Sequence, residues 1–346
     1  MNRSVPISFI RITALFMIIL CHIFQGENML LAWWFNVGVQ IFLSLSGFLY
    51  GGKQISQPGI WLKKQFQKIL APYYVLIVFI LVFYLIAARN LLSVNAVFTN
   101  LFVLQGVGTG LPGIEHLWFI TYILICYLFT PVLQIINFSK TTSEGKQNHP
   151  FIKLLLILFG LQLFNFTGTL NLTVSNIAAY IIGYYFSRQH FINGLPNRKL
   201  LIKSSVWIIS LCAVTTPFIL YMEYFGGADT LTLIAPYEYV LFNWHHVLLG
   251  ITIFLLLYCL FERVLRSDNK LVKKICKFGD TFSYPIYLTH QIFILGNFSL
   301  LNVTGIKAVN IVAIFLLSVI SGILLQTLSK PILKKFSTSQ TPMYQK

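Results

Sequence analysis

Long runs of apolar residues recur from one end of the chain to the other, and short polar segments rich in Lys and Arg separate them. Each run is close to the roughly 20 residues that an α-helix needs to cross the hydrocarbon core of a bilayer. No change of composition marks a linker, so we interpret 1–346 as a single integral-membrane domain. The pattern predicts an all-α, polytopic membrane protein with about ten transmembrane helices, near residues 7–25, 31–50, 70–88, 117–136, 152–168, 172–187, 204–225, 239–261, 281–299 and 308–328.

The composition and the distribution of charge agree with this prediction. Only 10% of the 346 residues are charged, whereas soluble domains carry about 25%. The formal net charge of +16 does not indicate nucleic-acid binding, because the basic residues lie in short clusters between the apolar runs. With the N-terminus in the cytoplasm, 23 of the 25 Lys and Arg residues fall in inner segments and only Arg89 and Lys307 fall outside. The positive-inside rule therefore predicts that both termini are cytoplasmic.

The first apolar run, "SFIRITALFMIILCHIF", contains Arg11 and His22. Because Arg11 interrupts the run and no small-residue cleavage site follows, we interpret the run as a membrane helix and not as a signal peptide. Eleven residues of helix correspond to about three turns and a rise of about 16 Å, so the two side chains share one face. A snorkelling arginine and an interhelical hydrogen bond from the histidine are the structural alternatives. Together, the two residues indicate the wall of a polar pathway into the membrane.

Further polar residues fall near the outer ends or at mid-depth of the predicted helices. His116 opens the fourth helix from outside, and Tyr287 and His290 share one face of the ninth helix with Ser283 and Asn297. Histidine is well suited to removing a hydroxyl proton near neutral pH. Inner clusters of Lys and Arg suit a phosphate-bearing donor. This pattern fits a transferase with its donor inside and its acceptor outside, and it equally fits a proton-coupled transporter.

Five segments, in order along the chain, resemble the integral-membrane acyltransferase-3 family in its ten-helix form. The third segment is similar to a basic loop that leads into a proline-containing helix. The five are the Arg11/His22 pair, "NVGVQIFLSLSGFLYGG" at 36–52, "WLKKQFQKILAPYY" at 61–74, "HLWFITYILICYLFTPVL" at 116–133 and "SYPIYLTH" at 283–290.

Members of this family move an acyl group, usually acetyl from acetyl-CoA, to a sugar hydroxyl of a cell-surface glycan. The resemblance therefore implies a multi-pass O-acetyltransferase of the cell (plasma) membrane. Its acceptor would be a surface polysaccharide, an exopolysaccharide or a lipid-linked oligosaccharide precursor. Acetyl-CoA is the expected donor, no metal and no permanently bound cofactor are expected, and contact with polysaccharide assembly machinery is compatible with this role.

The resemblance also implies roles for individual residues. His22 would be the catalytic histidine, and Arg11 would contact the donor. Lys64 and Lys68 stand where the family has paired arginines, and lysine offers phosphate a point charge in place of a planar fork. Gln40 stands where many relatives carry an acid, so another group would have to orient the histidine.

The remaining candidates come from their position near the outer surface or at mid-depth. Glu27 and Glu115 are candidates for the missing acid, and exposed loop carboxylates are the alternative. A transporter or flippase of a glycan precursor, and succinyl in place of acetyl transfer, remain alternative functions. The expected catalytic group is His22, Glu27, His116 and His290, and the expected contacts to substrate or oxyanion are Gln40, Trp118 and Tyr287.

Overall fold

The computed structural model describes residues 5–135, 150–163, 173–193, 198–225, 228–265 and 269–338. Within these ranges the chain forms helices and connecting segments without a β-strand, which confirms the all-α prediction. Short 3-10 helices occur at Arg89–Leu91, Glu115–Leu117 and His290–Phe293. The α-helices are α1 Val5–Gly26, α2 Leu31–Phe35, α3 Gly38–Gly51, α4 Pro58–Ala87, α5 Val94–Leu101, α6 Trp118–Ile135, α7 Pro150–Leu163, α8 Val174–Asn193, α9 Arg198–Phe225, α10 Ala228–Val264, α11 Lys270–Thr289 and α12 Lys307–Thr338.

Six helical segments in the described part of the chain are long and apolar enough to cross a membrane. This finding confirms a polytopic membrane protein, and the count of ten spans stays a prediction. Residues 136, 164–168 and 172, which belong to three of the predicted helices, lie outside the described residues. The six segments are Val5–Gly26, Leu31–Gly51, Pro58–Ala87, Glu115–Ile135, Phe242–Val264 and Lys307–Lys335.

The basic segment before the third predicted helix is helical, so the loop predicted there is wrong. Helix α4 begins at Pro58 and runs for 30 residues, whereas the apolar pattern placed its start near residue 70. Proline is favoured at the first helical position, where its missing N–H has no intrahelical partner to lose. Hydropathy detects only the part of a helix that lies in hydrocarbon, so it missed these three turns. Lys64 and Lys68 therefore lie on a helix, and both are exposed.

The ninth predicted helix, 281–299, also differs from the structure at both ends. Helix α11 starts at Lys270 within a charged stretch and ends at Thr289, where a 3-10 helix follows. The chain stays apolar beyond Thr289, so the pattern carried no signal for the end of the helix. Asn297 consequently lies outside α11. The prediction that it shares a helix face with Tyr287 is therefore wrong.

One further helix and the first turns of another were not predicted. Helix α5 lies between α4 and α6, in a segment that the pattern left as a connection. Helix α10 begins at Ala228, whereas the sequence placed an outer loop over 226–238. Both segments contain apolar residues, but in runs too short or too mixed for a membrane-length pattern.

The described residues group into two compact units, and each is described by itself. Helices α1, α6 and α11 contribute residues to both. Unit 1 comprises Met1–Met17, Asn36–Gln54 and Phe129–Lys277, and unit 2 comprises Ile18–Phe35, Ile55–Leu128 and Phe278–Lys346.

Close approach of two backbones organises unit 1. A Cβ atom at Gly183 of α8 would lie 2.0 Å from the carbonyl oxygen of Ser44 in α3, and a Cβ at Gly47 would lie 2.0 Å from that of Tyr180. Only glycine fits at these two positions, and small residues at contacts are typical of membrane helices, where tight packing replaces hydrophobic association. Helix α10 packs against both α3 and α8.

Unit 2 is held together by α4, α12 and the polar anchors around them. Helix α4 packs against α12. Tyr284 of α11 donates a hydrogen bond to the carbonyl of Ile69, at 2.9 Å. Tyr73 donates to the carbonyl of Asn100, at 2.6 Å, and thereby fixes the end of α5 against α4. This framework positions the segments that carry the histidines.

Candidate active site

Three histidines from distant parts of the chain converge within unit 2. His22 lies on α1, His116 lies on the 3-10 helix before α6, and His290 begins the 3-10 helix after α11. Their ring centroids are 6.0 Å apart for His22 and His116, 5.2 Å for His22 and His290, and 4.7 Å for His116 and His290. His116 and His290 are buried, whereas His22 is partly exposed. The structure therefore brings together three residues that the sequence proposed one by one.

The end of α11 explains how two of these rings are oriented. The last four carbonyl groups of an α-helix lack an intrahelical donor, and Tyr287 lies in that last turn. Its carbonyl oxygen is 2.8 Å from Nε2 of His116 and 2.6 Å from Nδ1 of His290. A carbonyl oxygen only accepts hydrogen bonds, so both of these ring nitrogens carry a proton.

The other nitrogen of each neutral ring is then a bare acceptor. Nδ1 of His116 and Nε2 of His290 are buried, and neither has a hydrogen-bond partner among the described residues. Buried polar atoms are normally paired, and exceptions are often found where a substrate or water binds. The Tyr287 carbonyl thus fixes both tautomers and leaves two basic nitrogens available to a ligand.

A chain of hydrogen bonds holds the His116 segment to the end of α11. The hydroxyl of Tyr287 donates to the carbonyl of His116, at 2.6 Å. The backbone N–H of His116 donates to Oε1 of Gln291, at 2.9 Å, and Nε2 of Gln291 donates to Oε2 of Glu115, at 3.3 Å. The hydroxyl proton of Tyr287 is therefore committed to a backbone carbonyl in this structure. Glu115 reaches His116 through Gln291, a residue that sequence reasoning missed because no local spacing points to it.

His22 is oriented by a neighbour on its own helix. Its Nδ1 lies 3.1 Å from Oε1 of Gln25, three residues along α1. Because an amide oxygen accepts, Nδ1 carries the proton and Nε2 is left as the basic nitrogen. Sequence reasoning looked for a carboxylate in this role and missed Gln25, although residues three apart on a helix are neighbours. The carboxylate of Glu27, the acid expected there, pairs with Lys307.

The remaining candidates lie elsewhere in the two units. Lys64 and Lys68 are exposed on the first turns of α4, in unit 2. Trp118 is half-buried at the start of α6 and makes an edge-to-face contact with Tyr122, at a centroid distance of 5.5 Å. These three residues are separate from the hydrogen bonds that link the histidines.

Arg11 and Gln40 belong to unit 1. Arg11 is half-buried on α1, on the same continuous helix as His22. Gln40 is buried on α3, and its amide nitrogen donates to Oδ1 of Asn176, at 3.3 Å. The amide oxygen of Gln40 has no hydrogen-bond partner within the described ranges.

The chemistry of the cluster is that of neutral imidazole bases. Neutral imidazole removes a proton from a hydroxyl group and returns it to a leaving group. Since His22 is the only one of the three that is partly exposed, it is the ring that a substrate can reach. In the part of the chain that the structure describes, no group of three His, Cys, Asp or Glu side chains is arranged to hold a metal ion.

Comparison with known families identifies the chain over most of its length. The family model described as an acyltransferase domain, of the acyltransferase-3 family, matches residues 7–327. No curated protein and no solved structure matches the chain. The family match covers most of the 346 residues, including all three histidines and both units. The chain belongs to the acyltransferase-3 family and is a membrane acyltransferase.

Proposed function

We propose that this protein transfers an acetyl group from cytoplasmic acetyl-CoA to a sugar hydroxyl of a cell-surface polysaccharide or of its lipid-linked precursor. The observation that carries the proposal is the cluster of His22, His116 and His290, in which each neutral ring keeps one nitrogen free of a proton. Acyl transfer to an alcohol requires such a base, because a neutral hydroxyl is a weak nucleophile.

His22 acts as the general base in this proposal. Its Nε2 takes the proton of the sugar hydroxyl while the oxygen forms a bond to the carbonyl carbon of the thioester. The tetrahedral intermediate then collapses, the carbon–sulfur bond breaks, and the thiolate of CoA takes the proton back from the imidazolium. The products are the sugar ester and CoA, and His22 ends the cycle in its starting form. Gln25 holds the ring in the required tautomer by accepting a hydrogen bond from the Nδ1–H group.

His116 and His290 assist by accepting hydrogen bonds. Their bare nitrogens, Nδ1 and Nε2 respectively, are buried beside His22. Either atom can accept a hydrogen bond from a second hydroxyl of the sugar or from a bound water, and so orient the reacting hydroxyl toward His22. Because each ring N–H already donates to the Tyr287 carbonyl, neither neutral ring supplies a donor to the oxyanion.

The donor site is proposed from charge. Lys64 and Lys68 offer two exposed ammonium groups one turn apart on α4 for the phosphates of CoA. Contacts of this kind are screened by salt when they are exposed, so acetyl-CoA binding should weaken as ionic strength rises.

The test is transfer by the purified protein in lipid nanodiscs. Acetyl-CoA and succinyl-CoA are supplied separately with the extracted surface glycan of the source cells, and CoA release and glycan ester are both measured. The proposal expects acetyl ester and CoA in equal amounts with acetyl-CoA, and neither product with His22→Ala. If ester forms with succinyl-CoA and not with acetyl-CoA, the activity is succinyl transfer and not acetyl transfer. Glycan transport without ester formation would favour a flippase.

A further inference from the structure

A groove on the surface of unit 2 is separate from the histidine cluster. It has a volume of about 700 Å³ and is lined by one face of α4 together with Ile332 of α12. Its α4 residues recur every three to four positions, from Lys63 through Tyr74 to Phe79. The volume falls within the range of about 300–1,000 Å³ that is typical of small-molecule sites. Lys63 is its only charged lining residue, and most of the others are apolar.

The depth of the groove matches one leaflet of a bilayer. The uncharged stretch of α4 runs from Ile69 to Ala87, which is about 28 Å of helix and close to the hydrocarbon thickness of about 30 Å. Lys63 lies six residues before this stretch, about 9 Å away and therefore at headgroup level. Phe79 lies ten residues into it, at about 15 Å, which is the middle of the bilayer. The groove thus starts at the headgroups and ends at the midplane.

The exposed side chains along the groove are those that a lipid tail would cover. Val78 is 59% exposed and Phe79 is 57% exposed, although both are large apolar residues. Val82, one turn deeper on α4, is 49% exposed but does not line the groove. The apolar lining therefore stops near the midplane although the apolar surface of the helix continues.

The charge at the headgroup end selects the class of ligand. Lys63 faces the groove at its headgroup end. A basic residue at the membrane surface attracts anionic lipid by about 1 kcal/mol. Lys64, proposed above for the donor, points about 100° away from Lys63 around the helix and does not line the groove.

We propose that this groove binds one anionic phospholipid, with its phosphate beside Lys63 and an acyl chain lying along α4 as far as Phe79. The site is independent of the proposed transfer reaction, since it uses neither the histidines nor Lys64 and Lys68. Its ligand comes from the leaflet in which Lys63 lies. A bound lipid would cover the exposed face of α4 where α4 packs against α12.

The experiment counts retained lipid on the purified full-length protein by native mass spectrometry. Phosphatidylglycerol and phosphatidylcholine with the same acyl chains are added separately, so that only the headgroup charge differs. Wild-type protein should retain one phosphatidylglycerol in preference to phosphatidylcholine. Lys63→Gln should weaken phosphatidylglycerol binding about fivefold, the effect of one surface lysine, while Lys63→Arg should keep it.

A matched pair of variants tests the groove itself. Val78→Trp fills the groove and should abolish retention, whereas Val82→Trp adds the same bulk one turn deeper and should not. Both positions are exposed, and an unchanged temperature of thermal unfolding shows that each variant is folded. Equal retention in the Val78 and Val82 variants would overturn the proposal. Equal retention of the two lipids by wild-type protein, or of phosphatidylglycerol by Lys63→Gln, would do so as well.

Discussion

Replacing Gln25 tests whether the tautomer of His22 matters for catalysis. The hydrogen bond from Nδ1 of His22 to Oε1 of Gln25, at 3.1 Å, keeps the proton on Nδ1 and leaves Nε2 basic. Gln25→Leu removes the acceptor but keeps a side chain of similar length at an exposed position. The ring is then free to carry its proton on Nε2, and this nitrogen can no longer accept the proton of the substrate hydroxyl. We therefore expect a slower chemical step without loss of folded protein.

The size of this effect follows from the energy of the bond. A hydrogen bond of this kind contributes about 0.5–1.5 kcal/mol net, which corresponds to a change of about 2- to 13-fold in the ratio of the reactive to the unreactive tautomer. The decrease should appear in kcat, because the base acts on bound substrate. Gln25→Glu is the matched control, since its carboxylate can still accept a hydrogen bond from the Nδ1–H group.

The assay is CoA release at saturating acetyl-CoA and acceptor, together with thermal unfolding to confirm that the variants are folded. We expect kcat to fall in Gln25→Leu and to be retained in Gln25→Glu. If Gln25→Leu is as fast as wild type, Gln25 does not orient the base. If Gln25→Glu is as slow as Gln25→Leu, the side chain acts through a contact other than this hydrogen bond.

Three further predictions concern the base, the donor and the orientation. His22→Ala should lower the transfer rate by about 10²–10⁴ while membrane insertion and unfolding temperature stay near wild type; activity within tenfold of wild type would exclude it as the base. Changing Lys64 and Lys68 together to Gln should weaken acetyl-CoA binding and reduce its salt dependence in calorimetry, whereas changing both to Arg should preserve the affinity and the salt dependence. An unchanged salt dependence in the Gln variant would show that the two lysines do not belong to the donor site. The third prediction uses cysteines introduced at Gly59 and Gly305, where an added Cβ meets no atom within 4 Å. In intact cells an impermeant maleimide should label Gly305→Cys and leave Gly59→Cys unlabelled, and the reverse result would invert the predicted orientation.

The sequence predicts the existence of these helices better than it predicts their ends. A run of apolar residues specifies that a segment lies in the membrane, and α1 was placed to within two residues at each end. The start of α4 at Pro58 was missed because its first turns lie outside the hydrocarbon and carry charge. The end of α11 at Thr289 was missed for the opposite reason, since an apolar run follows at 292–295. Hydropathy reports the surroundings of a segment and not its backbone conformation.

In the candidate site, too, the sequence predicts some features and misses others. Residue type and helical period sufficed to propose His22 and to put Arg11 on the same face. The partnership of His22 with Gln25 was visible in principle, because a spacing of three on a helix is local information. The convergence of His116 and His290 on His22 was not, because these residues are brought together by tertiary packing across more than 250 positions of the chain. Gln291 entered the site for the same reason.

The group that organises the cluster is a main-chain atom, which no residue type encodes. The carbonyl of Tyr287 receives the ring protons of both His116 and His290 because α11 ends two residues later, at Thr289. Had the helix continued to residue 299, as the apolar pattern suggested, the N–H of Gln291 would occupy this carbonyl in the regular i to i+4 pattern. His290 would then also project from a helix face and not from the turn that lets its ring fold back by three residues. The end of α11 therefore sets the tautomers of two buried imidazoles, and the backbone conformation at Thr289 is as much a part of the site as the side chains.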